Sequence, residues 1–300
     1  MIVGAIDLGT NTTRLLVGRV EDGSLDELHR ETRITRLGEG VDARGRLLPV
    51  PIARVRNTLS DFRRTAESLG AERTLLVATS AVRDAENGEA FLGEIEWSYG
   101  FVARLLSGDE EAELTRRGLG PIAEGTLIVD IGGGSTELVL DGFQTSLPVG
   151  SVRFTERHGE NVEELLAAAR AALPGLEPRP SDAIGVAGTI TTLAALDLGL
   201  EEYDRNRVHG HRLTRAGAAA QLERLAGLPL EERRQVPALE PERAPVIVAG
   251  GAILVAILDA YGLDGITVSE RGLLHGAALA AAELPEPEEG AAPPGAYTCC

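Results

Sequence analysis

Short apolar runs, separated by polar or glycine-containing turns, divide the first half of the chain into regular elements. Runs and alternations of apolar residues predict strands over 1–6, 13–20, 25–34, 73–78 and 100–106. Apolar positions at helical spacing predict helices over 50–69, 85–98 and 109–119. Gly70 follows the first of these helices, at the position where a glycine commonly ends a helix.

The second half of the chain repeats this order of elements. Strands are predicted over 126–131, 136–140, 143–149, 182–187 and 265–269. Helices are predicted near 151–158, 161–172, 189–199, 214–226, 244–261 and 270–283. Each half therefore begins with three strands and continues with alternating helices and strands, which predicts an α/β protein with mixed sheets covered by helices on both faces. The polar, turn-rich segment 117–125 marks the expected boundary.

One phrase occurs in both halves at a constant offset of 123 residues. Residues 7–17 are DLGTNTTRLLV and residues 130–140 are DIGGGSTELVL, each placed between two apolar runs. Such a strand–turn–strand segment offers backbone N–H groups and hydroxyls to an anionic oxygen. The aspartate that ends the first strand of each copy, Asp7 or Asp130, can hold a hydrated cation. A single copy is typical of an ordinary turn, whereas the pair predicts two duplicated domains that hold a phosphate chain between them.

A third candidate phosphate loop lies in GVAGTITTLAAL, residues 185–196. A buried strand ends near Gly188, and Thr189 is expected to cap the helix that follows. The N-terminus of that helix presents N–H groups and the positive end of the helix dipole to an anion. The alternative interpretation is an ordinary capped helix without a ligand.

Charged residues near two strand ends are candidates for chemistry. Asp109, Glu110 and Glu111 fall in the first turn of a predicted helix, where acids commonly complement the helix dipole and where one could also act in catalysis. Arg83 follows the strand over 73–78, at a place where α/β proteins bind ligands. It can clamp a phosphate, or it can pair with a neighbouring acid in the segment 84–86.

Two further motifs each have a structural interpretation and a functional one. His209 and His211 lie two residues apart, but no third ligand has suitable spacing, so a role in a loop is favoured over a metal site. Gly250 and Gly251 lead into an apolar helix and allow either close helix packing or the approach of a ligand.

Composition excludes several classes of protein. The formal net charge is −17 and all 29 basic residues are arginine. A chain without lysine has neither a Walker-type phosphate loop nor a Schiff-base lysine, and the acidic balance argues against nucleic-acid binding. Arginines cluster in 29–36 and 44–56, either as a local basic surface or as part of a solvated one.

Apolar runs and cysteines indicate the cellular context. No apolar run approaches the roughly 20 residues of a membrane span, and no leader pattern is present, so a cytoplasmic protein without a membrane partner is expected. The only cysteines are Cys299 and Cys300, which leaves no disulfide framework and no zinc spacing.

The ordered set of motifs resembles one family over roughly residues 1–285. The motifs are DLGTNTTRLLV, ATSAVRDAENG, SGDEEAEL, VDIGGGSTELVL, LPVGSVR, AGTITTLAAL, VHGHRLT, ERAPVIVAGGAIL and SERGLLHGAAL. They are similar to the exopolyphosphatase / guanosine pentaphosphate phosphohydrolase family of the actin-like ATPase superfamily. The resemblance implies two duplicated actin-like (ribonuclease H-like) domains with mixed five-stranded sheets, flanking helices and a cleft between them. The domains are expected at 1–118 and 119–284, followed by a disordered tail at 285–300.

The resemblance also implies site residues and a Mg²⁺ cofactor. Glu111 matches the family's glutamate that orients or deprotonates the attacking water, and Asp130 and Glu137 match acids associated with magnesium. The expected phosphate-binding residues are Gly9, Thr10, Asn11, Thr12, Arg14, Arg83, Gly132, Gly133, Gly134, Ser135, Thr136, Gly188 and Thr189. The first loop reads GTNT where the family commonly has GSNS, a change that keeps the hydroxyls.

The expected activity is hydrolysis of inorganic polyphosphate or guanosine pentaphosphate, with release of terminal orthophosphate. The chain ends near residue 300 without the helical C-terminal domains of long family members, so short chains are the favoured substrates. Two alternatives stay open at this point: an ATP-dependent kinase of the same superfamily, or a non-catalytic sensor of alarmone or polyphosphate. A homodimer is one option for its assembly.

Overall fold

The computed structural model describes residues 1–285. It divides into two compact units, one formed by Met1–Gly118 together with the segment from Leu273 onward, the other by Leu119–Gly272. The tail that was expected to be disordered, with Cys299 and Cys300, lies outside the described residues apart from Pro285.

The first unit begins with the predicted three strands. Its strands are β1 (Ile2–Leu8), β2 (Thr12–Glu21), β3 (Ser24–Ile34), β4 (Arg73–Ala78) and β5 (Val102–Leu105). Its first five helices are α1 (Val41–Arg44), α2 (Pro49–Ser68), α3 (Ser80–Arg83), α4 (Gly88–Tyr99) and α5 (Gly108–Leu119). The short helices α1 and α3 have too few residues to produce an apolar period, and the sequence did not predict them.

The second unit repeats this arrangement. Its strands are β6 (Thr126–Ile131), β7 (Thr136–Leu140), β8 (Phe143–Leu147), β9 (Asp182–Val186), β10 (Arg212–Thr214) and β11 (Gly265–Val268). Its helices are α6 (Ser151–His158), α7 (Val162–Ala172), α8 (Ala187–Asp197), α9 (Arg205–Val208), α10 (Arg215–Ala226), α11 (Leu230–Arg233) and α12 (Ile247–Tyr261).

The strand orders of the two sheets confirm the predicted duplication. The first sheet runs β3-β2-β1-β4-β5 and the second β10-β11-β9-β6-β7-β8. In both units the first three strands are antiparallel, and the later strands join in parallel except for β10. The second sheet was expected to have five strands and has six, because β10 pairs antiparallel with β11 at its edge. This three-residue strand lies in the segment interpreted as a loop and is too short to show an alternation.

Each sheet has its own apolar core. In the second unit, α12 is buried without interruption from Ile247 to Leu258, as expected of a helix that is apolar on all sides. In the first unit, α2 covers one face of the sheet with Val55, Leu59 and Phe62, all fully buried. Among the helices of residues 1–285, none combines the length and the apolar character needed to cross a lipid bilayer.

The last helix, α13 (Leu273–Ala281), belongs to the first unit. The expected C-terminal domain of 119–284 included this helix, so the expectation is corrected here. Its small apolar side chains cover the other face of the first sheet, since they share a core with residues of β1, β2 and β4. The members of this core include Leu273, Leu274, Ala277, Ala278, Ala281, Val3, Ala5, Leu16, Leu75 and Val77.

Candidate active site

The turn between β1 and β2 is the first expected phosphate loop, and its backbone is firmly held. The N–H of Gly9 donates to the carbonyl of Thr12 over 3.0 Å, and the N–H of Gly38 donates to the carbonyl of Thr10 over 2.8 Å. Thr10, Asn11 and Thr12 are all buried. The buried Nδ2 of Asn11 has no hydrogen-bond partner in the described structure, so it is a donor available to an anion.

Asp7 lies at the end of β1, directly opposite Arg14 in the register of β1 and β2. The Nε of Arg14 is 3.2 Å from Oδ2 of Asp7, whose side chain is only 2% exposed. Burial raises the pKa of Asp7, and the charge of Arg14 opposes that rise. Oδ1 of Asp7 is buried without a hydrogen-bond partner, which is unusual for a carboxylate and fits a bound cation or a ligated water.

The turn between β6 and β7 repeats the geometry of the first loop. The N–H of Gly132 donates to the carbonyl of Ser135 over 2.9 Å, as Gly9 does at the equivalent position of the first copy. The start of α6 holds this loop, because the N–H of Ser151 donates to the carbonyl of Gly132 over 3.0 Å. Nε of Arg153 donates to the carbonyl of Gly134 over 2.7 Å. These loop carbonyls are therefore directed into the protein.

The two hairpins differ in the charge that faces the aspartate. Asp130 lies opposite Glu137 in the register of β6 and β7, where the first hairpin pairs Asp7 with Arg14. Both acids of the second hairpin are buried, and Glu137 accepts a 2.7 Å hydrogen bond from the hydroxyl of Ser146. Like charges placed directly across a strand pair repel each other. A buried acid pair at this position therefore favours a cation.

The donor set of the second hairpin fits magnesium. No group of three or more His, Cys, Asp or Glu residues suited to a metal occurs within residues 1–285. Mg²⁺ in phosphoryl-transfer sites usually keeps several waters and is bound through one or two carboxylates together with substrate phosphates. Asp130 and Glu137 supply that number of carboxylates.

The third expected phosphate loop opens α8, but Thr189 does not cap the helix as predicted. The helix begins at Ala187, the preceding Val186 makes no side-chain cap hydrogen bond, and Thr189 lies inside the first turn. Ala187 has φ of +67°, a left-handed conformation that costs an alanine about 1–2 kcal/mol. Backbone strain of this kind is concentrated at ligand sites.

Arg243 lies against the start of α8, and sequence reasoning did not identify it. A Cβ on Gly188 would be only 2.4 Å from a terminal nitrogen of Arg243. The side chain of Arg243 is 11% exposed and contacts Glu240 at 3.1 Å, while its buried Nε has no hydrogen-bond partner in the described structure. A guanidinium at the positive end of a helix dipole is unfavourable alone and favours an anion beside both.

Close packing explains the first glycine of the pair in α12. A Cβ on Gly250 would be 2.6 Å from Cγ2 of Thr189 and 3.4 Å from Cβ of Ser151, and one on Gly251 would be 3.4 Å from Leu222. Gly250 therefore lets α12 approach its neighbours, whereas a Cβ at Gly251 would make an ordinary van der Waals contact. Of the two interpretations of this motif, the contact at Gly250 favours close helix packing.

The two histidines of the 208–214 segment have structural partners. Nε2 of His211 is 2.7 Å from Oδ2 of Asp197. Nδ1 of His209 accepts the N–H of Glu270 over 3.2 Å. Both contacts fasten the loop to its neighbours, in agreement with the role in a loop that the spacing favoured.

Glu111 is the buried acid in the first turn of α5. It is 6% exposed, and its Oε2 is 3.4 Å from a terminal nitrogen of Arg83. The same nitrogen of Arg83 donates to the carbonyl of Leu106 over 2.7 Å, which fixes the guanidinium beside the start of α5. The structure thus brings Arg83 and Glu111 together, a pairing that sequence spacing did not predict.

The neighbouring Glu110 has a different, structural task. Its Oε2 accepts hydrogen bonds from the backbone N–H and the hydroxyl of Ser107, both at 2.8 Å, while its own N–H donates to that hydroxyl over 3.2 Å. This reciprocal pattern is a capping box. These bonds lower the pKa of Glu110. Capping therefore occupies Glu110 and leaves Glu111 as the acid of this turn with a buried carboxylate.

Comparisons with known proteins show which family this chain resembles. Residues 16–283 match the Ppx/GppA phosphatase family. The chain is 40% identical to exopolyphosphatase 2 of Mycobacterium tuberculosis, over 93% of this chain and 98% of that protein. It is 31% identical to a guanosine-5′-triphosphate,3′-diphosphate pyrophosphatase of Vibrio atlanticus, over 92% of this chain and 58% of that protein. The crystal structure of the Aquifex aeolicus member of the Ppx/GppA family superposes with a TM-score of 0.78 at 31% identity, covering 94% of this chain and 98% of that one. The predicted resemblance is confirmed, and this chain belongs to the Ppx/GppA phosphatase family.

Proposed function

We propose that this protein hydrolyses a phosphoanhydride chain from its end, releasing orthophosphate from inorganic polyphosphate or guanosine pentaphosphate. The observation that carries the proposal is the state of Glu111, a buried carboxylate held by Arg83 while Glu110 caps the helix. Membership of a phosphatase family supports the reaction type. A sensor without activity would need no such water-activating acid.

The reaction is an in-line attack by water. The oxygen of the water forms a bond to the terminal phosphorus, the bridging P–O bond breaks, and its electrons leave with the shortened chain. Glu111 accepts the proton of the water, and Arg83 holds the carboxylate in place through its contacts with Glu111 and Leu106. Arg83 was expected to contact phosphate; its observed contacts favour a role through Glu111.

The remaining groups bind and orient the substrate. The loops at 9–12, 132–136 and 188–189 donate N–H and hydroxyl groups to nonbridging oxygens, and the unpartnered Nδ2 of Asn11 is one such donor. Arg243 adds charge at the start of α8. Asp130 and Glu137 would hold Mg²⁺, and that ion would supply positive charge to the phosphate oxygens.

Two relatives point to the substrate classes. One is named an exopolyphosphatase and the other a guanosine-5′-triphosphate,3′-diphosphate pyrophosphatase. Short chains are favoured, because affinity for a long polyanion comes from many distributed cationic contacts. A chain with net charge −17 and no lysine has few places for such a track.

The experiment is Glu111→Gln, assayed by orthophosphate release from polyphosphate of defined length, guanosine pentaphosphate and ATP. The amide keeps the shape of the side chain but cannot accept the proton, and loss of a general base costs about 10²–10⁴ in rate. We expect kcat to fall by that factor while KM changes little.

Glu110→Gln is the matched control. Glutamine also completes a capping box, and Glu110 itself has no role in the proposed reaction. Its turnover should stay within about twofold of wild type. If Glu111→Gln keeps more than about a third of wild-type turnover, Glu111 is only a helix-terminus acid and the mechanism is wrong.

A further inference from the structure

We propose that Gly276 is a positioning residue for Glu111. Gly276 lies in α13 and lets the backbone of α5 approach at Leu114, three residues beyond Glu111. The inference rests on the proposed role of Glu111 as the acceptor of the water proton. According to this inference, α13 sets the position of α5, the helix that carries Glu111.

The contact at Gly276 has no room for a side chain. A Cβ at this position would be 1.9 Å from the carbonyl oxygen of Leu114, 2.7 Å from its carbonyl carbon and 3.1 Å from its Cα. Real Cβ atoms essentially never come within 3.0 Å of another heavy atom, so alanine would force the two helices apart by about 1 Å. The obstacle is backbone, which cannot rotate away as a side chain would.

The helix that yields to such a change is α5. The face of α13 toward the sheet is embedded in the core of the first unit, with Leu273, Leu274 and Ala277 all buried. By contrast, α5 presents exposed residues to solvent along its outer face, among them Asp109 and Glu113. An outward shift of α5 exposes less apolar surface than a shift of α13, and it is therefore the cheaper response.

The shift acts on Glu111 because residues three apart are neighbours on one side of a helix. Glu111 and Arg83 are 3.4 Å apart, so a displacement of Glu111 by about 1 Å away from Arg83 would take this pair beyond ion-pair distance. Misplacement of a catalytic group by about 1 Å can cost about 100-fold in rate. Gly276 thus sets the position of Glu111 in addition to allowing the two helices to pack closely.

A second contact joins the same two segments further along. Both terminal nitrogens of Arg117, near the end of α5, contact the carboxylate of Glu283 just beyond α13, at 2.9 and 2.5 Å. Leu114 itself packs against the core that contains the side chains of α13. The C-terminal half of α5 is therefore held against α13 by a close backbone approach, by apolar packing and by an ion pair.

The test is a double-mutant cycle between Gly276→Ala and Glu111→Gln, with inorganic polyphosphate of defined short length as the probe. We expect Gly276→Ala alone to lower kcat by about 10–100-fold with KM within about threefold. In the Glu111→Gln background the same change should lower kcat by less than about twofold, since the acid it positions is already gone. A purely structural role would reduce the folded fraction and leave the cycle additive.

Gly93→Ala is the matched control, because a Cβ at Gly93 in α4 would meet nothing within 4 Å. It should leave kcat unchanged. If Gly276→Ala fails to fold, Leu114→Ala removes the apolar side chain by which α5 packs on the core shared with α13, and it introduces no clash. This variant should then show a several-fold, non-additive loss of kcat.

Three results would overturn the inference. The first is a wild-type kcat for Gly276→Ala, or for Leu114→Ala if Gly276→Ala does not fold. The second is an additive cycle while Glu111→Gln alone shows its expected loss of kcat, in which case the proposed function stands and only the inference fails. The third is full activity of Glu111→Gln, which removes the mechanism and the inference together.

Discussion

Arg233 is the largest fully buried side chain of the second unit, and its replacement tests how that unit is held together. Its side chain is 1% exposed. Nε donates to the carbonyl of Leu225 over 2.9 Å, and the terminal nitrogens donate to the carbonyls of Ala244 and Leu228 over 3.1 and 3.0 Å. Both terminal nitrogens also contact the carboxylate of Glu160, at 2.5 and 3.1 Å.

Arg233→Met keeps a long side chain in the core and removes every one of these donors. Each buried carbonyl left without a donor costs about 1–3 kcal/mol, and loss of one partner of a buried ion pair costs about 3–5 kcal/mol. Two effects reduce this loss of stability. Glu160 is 42% exposed, so water can hydrate its carboxylate in the variant, and the variant no longer has a guanidinium to desolvate. We therefore expect the free energy of unfolding to fall by about 2–4 kcal/mol.

The assay is equilibrium unfolding in urea, followed by far-UV circular dichroism. With a slope of about 2 kcal/mol per molar urea, the midpoint of the transition of the second unit should fall by about 1–2 M. Arg234→Met is the matched control, because Arg234 is 36% exposed and its ion pair within residues 1–285 is a surface contact with Glu231, worth at most about 0.5 kcal/mol. Equal midpoints for the two variants would refute the reasoning that Arg233 ties this region together.

Three further predictions concern the metal, the pH and the substrate. Asp130→Asn should raise the Mg²⁺ concentration that gives half-maximal activity, whereas the surface control Asp141→Asn should not; an unchanged value for Asp130→Asn would remove the metal assignment. Hydrogen bonds from Ser107 lower the pKa of Glu110 below its usual 4.5, so the stability from this cap is complete above about pH 4.5 and is lost as the pH falls through the folded-state pKa. Glu110→Gln should accordingly weaken the decline of the melting temperature between about pH 5 and 3, and an identical decline in both proteins would contradict this. Initial rates at matched concentrations of chain ends should not climb with polyphosphate length; a steady climb with a steep salt dependence would reveal a long basic groove.

Local patterns determined the duplicated part of the fold. A hairpin is a contact between residues close in sequence, so the two copies of the strand–turn–strand phrase were sufficient to predict matching loops. The structure bears this out, since Gly9 and Gly132 make the same turn hydrogen bond. The period of the apolar residues likewise predicted most of the long helices, because burial of one helix face follows from sequence spacing alone.

Sequence patterns alone could not distinguish the roles of the three neighbouring acids in the first turn of α5. Asp109, Glu110 and Glu111 share one helical turn, and only the phase of the helix and its contacts distinguish them. The structure buries Glu111 beside Arg83 and uses Glu110 for capping. Which acid has which task depends on where α5 begins and on what packs beside it.

Contacts between distant parts of the chain were decided only by the tertiary structure. The apolar pattern of α13 shows that this helix must pack against other elements, but it does not show which sheet it packs on. The structure places it in the first unit. Arg243 reaches Gly188, and Gly276 admits Leu114, across long separations in sequence. Such contacts depend on how whole elements pack in three dimensions, whereas the repeated loops depend only on their own residues.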